Sequence, residues 1–283
     1  MVSVLWVLLL LSSLAATSLY VTRTHAILSH RGLEFAQAQA AADAAISDTF
    51  ARLINSDDIR HREIGTPARA WTFDGIPVSI WVTREAGRLD LNTGDNLLLE
   101  AIIQSSGIGA VRSQQMIKEL RDTQDPGLFA ENRVVGDAAM NLSSGVRSLS
   151  RAVRLQSVDE IRRFPAWGSE NISCLMDSFT VYTGLKGIHA TDAGSTIKAA
   201  LKFAQERNLN VQDWVTTQES QTSAVGERTV FGEVLRIRAL ARNSNQAIVD
   251  LQWVGRITGD PASPILTLHW GTKIAQSDCG DRH

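Results

Sequence analysis

Apolar positions crowd the start of the chain and thin out after it. Met1 to Thr22 carry no charge, and Val4 to Leu11 is an almost unbroken apolar run. Ser12, Ser13, Thr17 and Ser18 interrupt it only with side chains short enough to bond their own helix backbone. As a helix these residues rise about 33 Å, which matches a hydrocarbon core of roughly 30 Å. The pattern predicts a transmembrane helix over 1–22, with Arg23 as the first charge. A cleaved signal peptide is the competing reading, with Leu14-Ala15-Ala16 as a site. The length of the run and the lack of a basic residue ahead of it disfavour that reading.

The apolar spacing then changes. From Thr24 to Ile54 there is no Pro, and Gly32 is the one Gly. Phe35 to Ala45 is strongly helix-forming, and Ile46, Phe50, Leu53 and Ile54 recur on one helical face. The helix is therefore expected to continue over 23–56 and to pack its last turns on a domain. Two helices that break near Gly32 are the alternative. Ala70 to Arg88 reads as strands, with Trp71, Phe73, Ile76, Val78, Ile80 and Val82 in apolar alternation and Asp74-Gly75 as a hairpin turn.

Residues 89–176 read as mostly helical, with amphipathic stretches at Leu97–Ile103 and Val111–Leu120. Ser157-Val158-Asp159-Glu160 resembles a capping box opening a third helix. Phe179 to Thr183 is a short strand, and 188–215 holds a helical segment with Ile197, Leu201 and Ala204 on one face. Thr216 to Thr229 is a polar linker. Val230–Leu240, Ile248–Arg256 and Ile265–Trp270 are strand-like, and Leu266, Leu268 and Trp270 share a face. Gly87 to Gly94 and Gly187 to Gly194 echo one another, each ahead of a helix that Thr or Asp can cap.

Composition narrows the classes of function. The 283 residues are 44% hydrophobic and 20% charged with a net charge of −2, which excludes wholesale disorder and gives no global basic footprint for nucleic acid. Cys174 and Cys279 are too few for a disulfide framework or a four-cysteine zinc site. They can pair with each other in an oxidising compartment.

No catalytic constellation stands out. The six His residues are scattered, and neither a nucleophile elbow nor a phosphate-binding loop is present. Gly107-Ile108-Gly109 lacks the third Gly of a dinucleotide fingerprint. Between two apolar helices it resembles a helix-hairpin-helix turn that offers N–H groups to a DNA phosphate, with Arg112 and Lys118 to assist. A tight turn between packed helices needs Gly for the same backbone reason, and Glu100 and Glu119 nearby favour that simpler reading. Asp122, Asp125 and Glu131, beside Asn132, are oxygen donors at loop spacing that suit Ca²⁺. They lack the dense alternation of a strong calcium loop, which favours a solvated loop.

Taken in order, the apolar Val4-Leu5-Trp6-Val7-Leu8 start, the helix rich in Ala and Gln, and Glu85-Ala86-Gly87-Arg88-Leu89-Asp90-Leu91-Asn92-Thr93 carry a family resemblance. So do Leu120-Arg121-Asp122, Ser157-Val158-Asp159-Glu160-Ile161 and Phe179-Thr180-Val181-Tyr182-Thr183. Over nearly its whole length the chain resembles the general secretion pathway protein K family, the large minor pseudopilins of type II secretion systems. The most specific piece is Gly87 to Thr93.

The resemblance implies an α+β, pilin-like fold: a long N-terminal helix packed on an antiparallel sheet, with a large helical insertion. It divides the chain into a transmembrane helix (1–22), its continuation (23–56), a pilin-like part (57–88 and 177–283) and an insertion domain (89–176). It implies a non-enzymatic subunit, held in the inner membrane by one span with its folded part in the periplasm. There it would sit at the tip of the pseudopilus and start its assembly. The implied partners are the minor pseudopilins of types I and J, the major pseudopilin and the inner-membrane secretion platform, with no nucleic acid. Small residues at Ser12, Ser13, Ala15 and Ala16 suit close helix packing in lipid. An insertion as bulky as 89–176 would obstruct a subunit placed above, which implies the uppermost place. Family members lose a short basic leader, and most lack the Glu that other pilins carry at mature position five; Leu5 fits if Met1 is the mature start. The family also suggests calcium in the insertion, where Asp122, Ala130 and Glu131 match its pattern and Glu119, Leu120 and Gln124 depart. The competing function is a membrane-anchored periplasmic DNA receptor that uses the turn at Gly107 to Ala110.

Overall fold

The computed structural model describes residues 2–55, 64–65, 68–124, 154–168, 172–215, 232–243, 248–258 and 260–272. In chain order the elements are α1 (Val2–Asn55), β1 (Arg69–Phe73), β2 (Ile76–Arg84), β3 (Leu89–Asp90), α2 (Asn96–Ser105), α3 (Ala110–Gln124), β4 (Phe179–Thr180), α4 (Ser195–Glu206), β5 (Val234–Arg242), β6 (Ile248–Ile257) and β7 (Ile265–Thr272). Short 3-10 turns lie between them. The polar stretch Thr216–Thr229, the acidic positions Asp125 and Glu131, and Cys279 lie outside the described residues.

The chain divides into two compact units. The first holds Met1–Val82, Arg236–Val254 and His269–Ala275. Its α1 is one helix of 54 residues. It runs through Gly32 without a break. A lone Gly costs only about 1 kcal/mol in a helix, too little to stop one whose neighbours are good formers. Ser3 to Leu33 are exposed. From Glu34 onward one stripe is buried: Glu34, Ala38, Ala41, Ala42, Ala45, Ile46, Thr49 and Leu53. The alanines let the helix lie close to its sheet. Phe50 meets Trp253 of β6 edge-on at 4.8 Å. Arg69 of β1 reaches the Asp48 carboxylate at 2.9 Å, and Arg52 holds the same oxygen at 3.0 Å.

The antiparallel sheet has the order β1-β2-β5-β6-β7. Asp74 and Gly75 both have positive φ, 48° and 77°, the conformation that a tight two-residue hairpin demands. The turn sets Phe73 opposite Ile76 and Trp71 opposite Val78. Ile76, Val78, Ile80 and Val82 are buried in alternation, so the strand pattern of the sequence translates directly into one covered face. Within the first unit, Arg238 grips Asp250 through its Nε and Nη2, at 2.8 and 2.6 Å, and lies over the Trp81 ring. Leu266, Leu268 and Trp270 do share a face, and that face is exposed.

The second unit holds Thr83–Leu235, Gly255–Leu268 and Gln276–His283. Its core joins Leu98, Leu99, Ile102 and Ile103 of α2, Met116 and Leu120 of α3, and Ile197, Ala200, Leu201 and Ala204 of α4. Trp167 and Phe179 meet edge-on inside it. The strand foreseen at Phe179 to Thr183 is shorter, and it pairs in parallel with β3, Leu89 facing Phe179 and Asp90 facing Thr180. The third helix expected from Ser157 is corrected to two 3-10 turns, Val158–Arg163 and Pro165–Trp167. Ser157 caps its start by accepting the Asp159 N–H, but the reciprocal bond of a capping box is displaced by one residue, since Glu160 accepts the N–H of Gln156 and not that of Ser157. Pro165 ends it, because a residue before Pro is driven to extended backbone, and Phe164 sits at φ −84°, ψ 126°.

Candidate functional site

The motif Gly87 to Thr93 gathers its unit around one carboxylate. Asp90 is 1% exposed, so its charge must be met by donors. Its Oδ1 accepts the backbone N–H groups of Asn92 at 2.8 Å and Thr93 at 3.3 Å. Its Oδ2 accepts the N–H of Thr183 at 3.0 Å, the N–H of Gly184 at 2.8 Å and the Thr183 hydroxyl at 3.1 Å. The residues beside it are committed as well. Asn92 exchanges hydrogen bonds with the backbone of Leu155 in both directions, and Thr93 donates to the Leu185 carbonyl. Arg88 donates to the Asp177 carbonyl and pairs with the fully buried Glu85 at 3.2 Å. Leu89 and Leu91 fill the core. Gly87 lies against the Asp192 backbone, where an added Cβ would fall 2.1 Å from the carbonyl oxygen.

Arg121 closes the same loop from α3. Its guanidinium donates to the carbonyls of Leu91 and Gly94 and to the Asn96 amide oxygen. Burial lowers its pKa, partly offset by the charges of Asp90 and Asp95. Nearby, Arg84 holds Glu233 at 2.7 Å and Asp192 at 3.4 Å. Burial would push the Asp192 carboxyl up, but His189 and Arg84 hold it below the usual carboxylate value. The His189 Nδ1 stands 3.7 Å from Asp192 Oδ2, an electrostatic contact and too long for a hydrogen bond. Sequence reading missed Thr183, Gly184, Arg84 and Asp192. The Thr-Gly pair just after a short strand was the one signal pointing to the first two.

The turn at Gly107 has the backbone that its glycine allows, φ 89°, and leads α2 into α3. Arg112 faces a cleft lined by Gly109, Ala110, Val111, Gln115, Pro165 and Ala166, and its Nη2 lies 3.4 Å from the Ala166 carbonyl. Glu119 accepts the Ala166 N–H, and Trp167 donates to the Met116 carbonyl, so α3 grips the Pro165–Trp167 turn. Of the two echoing loops, Asp95 caps α2 by accepting the N–H groups of Leu97 and Leu98. α4 has no side-chain cap, because its N-cap residue is Gly194, and Asp192 two residues earlier pairs with Arg84. Asp122 lies near the end of α3, half-buried, and its expected companions Asp125 and Glu131 lie outside the described residues. Among the described residues no three His, Cys, Asp or Glu side chains form a metal-holding group. Cys174 is disulfide-bonded.

No family model matches the chain, and no curated protein sequence matches it. Among solved structures it is similar to a chain of the GspK-GspI-GspJ complex from the type 2 secretion system of enterotoxigenic Escherichia coli. The TM-score is 0.50 at 12% identity, over 90% of this chain and 99% of that one. The likeness shows a pseudopilin-like fold: a long N-terminal helix followed by an antiparallel sheet and helices.

Proposed function

We propose that this chain is a non-enzymatic minor pseudopilin of a type II secretion system, of the K type. The observation that carries this is the extent of the match, which takes in nine-tenths of this chain and nearly all of one from a pseudopilin complex. A helix of 2–55 whose first part is apolar and exposed supports the same reading, being long and apolar enough to cross a membrane. In this reading residues 1–22 span the inner membrane and the folded part lies in the periplasm. The disulfide at Cys174 agrees with that oxidising compartment.

The chain would occupy the pseudopilus tip with the I- and J-type minor pseudopilins, start assembly above the major pseudopilin and the inner-membrane platform, and support export of folded proteins. Residues 89–176 would be its insertion domain. Calcium at Asp122, Asp125 and Glu131 belongs to the proposal, and isothermal titration with Ca²⁺ tests it; no heat would remove it. The function itself is tested by mixing the part from about Ser29 onward, just past the span, with the matching I- and J-type domains. A 1:1:1 complex by size exclusion with light scattering supports the reading. No complex, with salt-sensitive DNA binding instead, would replace it by the receptor alternative.

A further inference from the structure

Within the second unit, α3 and the Pro165–Trp167 turn enclose a cleft whose two walls are fixed to each other. Glu119 accepts the Ala166 N–H at 2.9 Å, and Trp167 donates to the Met116 carbonyl at 2.9 Å. The space left between them is about 650 Å³, inside the roughly 300–1,000 Å³ of ligand pockets. Two kinds of group line it. Ala110, Val111, Pro165 and Ala166 are apolar, and Val111 is 84% exposed, more than any other large hydrophobic among the described residues. Arg112 and Gln115 are the polar pair, and no Asp or Glu lines the cleft. Among the described residues the Arg112 guanidinium makes one hydrogen bond, a long one of 3.4 Å to the Ala166 carbonyl. A guanidinium has five N–H donors in a planar fork, so most of them stay available.

We propose that this cleft binds an acidic peptide segment, in which a carboxylate lies between apolar side chains. Arg112 meets the carboxylate, Gln115 bonds the peptide backbone, and Val111 and Pro165 pack on the flanking side chains. The inference goes beyond the pseudopilin reading and does not depend on it. Charge chooses the sign of the ligand, because the one ionised group in the lining is a cation whose planar fork matches a carboxylate. The lining chooses its class. A nucleic-acid backbone carries a charge about every 1.7 Å along a duplex and needs a row of cations. Here a single Arg stands among apolar groups, and Glu100 and Glu119 lie on the two helices that meet at the turn. A small inorganic anion would leave Val111 bare, whereas a peptide covers it while it pairs the charge.

The test uses the full chain in neutral-lipid nanodiscs and fluorescence anisotropy. The probe is a pool of blocked, labelled pentapeptides with glutamate set between leucine, valine or phenylalanine. Saturable binding is expected, and a pool with glutamine in place of glutamate should bind about tenfold more weakly. Arg112→Gln should cost the same factor and abolish the difference between the two pools, since the variant no longer distinguishes charge. Lys118→Gln removes a charge from α3 outside the cleft and should change nothing. Gly109→Asp guards against misfolding as the cause. A Cβ there meets nothing within 4 Å, and Asp suits the start of a helix, so the melting temperature should hold or rise while the new carboxylate weakens peptide binding tenfold or more. No saturable binding by the folded wild type overturns the proposal. So does binding that neither Arg112→Gln nor Gly109→Asp weakens, because the peptide then lies elsewhere. Tighter binding of a 20-base-pair DNA duplex that Arg112→Gln removes would assign the cleft to phosphate and overturn it as well.

Discussion

Asp90 holds Thr183 twice, by its backbone N–H at 3.0 Å and by its hydroxyl at 3.1 Å, across 93 residues of chain. The carboxylate acts as a clasp, because a buried charge is tolerable only when donors surround it. Asp90→Asn keeps the shape but turns an amide donor toward a site built of donors. It should lower the unfolding free energy by about 2–4 kcal/mol in urea titration. Thr183→Val keeps the backbone donor and should cost about 1 kcal/mol.

Two glycines should respond in opposite ways. At Gly87 an added Cβ would fall 2.1 Å from the Asp192 carbonyl oxygen, and backbone on both sides cannot yield cheaply. Gly87→Ala should destabilise by more than about 2 kcal/mol or prevent folding. At Gly32 the Cβ meets nothing within 4 Å, and Gly32→Ala should raise helix content and stability by up to about 1 kcal/mol. Circular dichroism with thermal melting separates the two.

The Asp192 carboxyl predicts a loss of stability in acid. Its folded pKa lies below the ordinary 3.8, because His189 and Arg84 outweigh its burial. A carboxyl held low contributes stability above its unfolded value and loses it as the pH falls through the folded one. Melting temperature should therefore fall below about pH 4. Asp192→Asn should flatten that fall and start from a lower value at neutral pH. An acid limb as steep in the variant as in the wild type would remove Asp192 from the explanation.

The exposed apolar start of α1 makes a fourth prediction. Leu9→Arg places a charge in the middle of the proposed span, at a cost of about 2.5–3.5 kcal/mol for insertion. The variant should shift from the carbonate-resistant membrane fraction to the soluble or aggregated fraction, while Leu33→Arg, beyond the span, should stay membrane-bound.

Local chemistry was readable and long-range pairing was not. Asp74-Gly75 announced its hairpin because only residues that tolerate positive φ fit there, and Ile46 and Leu53 announced a buried helical face through their spacing. The stripe above them was harder to read, since Ala38, Ala41 and Ala42 are buried as alanines and leave no bulky apolar signal. The motif Gly87 to Thr93 stood out as specific, yet its spacing did not reveal that Asp90 reaches Thr183 and Gly184. That contact depends on β3 lying in parallel beside β4, a pairing that no local period encodes. The helix expected after Ser157 failed at a legible point, Pro165, whose effect on Phe164 outweighs a good cap.

A helix unbroken from Val2 to Asn55 has a mechanical consequence. At 1.5 Å per residue it is a strut about 80 Å long, with neither proline nor flexible joint along its length. Its hydrogen bonds run parallel to its axis, so a thrust at the foot is not absorbed by stretching. Lifting the foot by any distance lifts the sheet seated on its upper turns by the same distance.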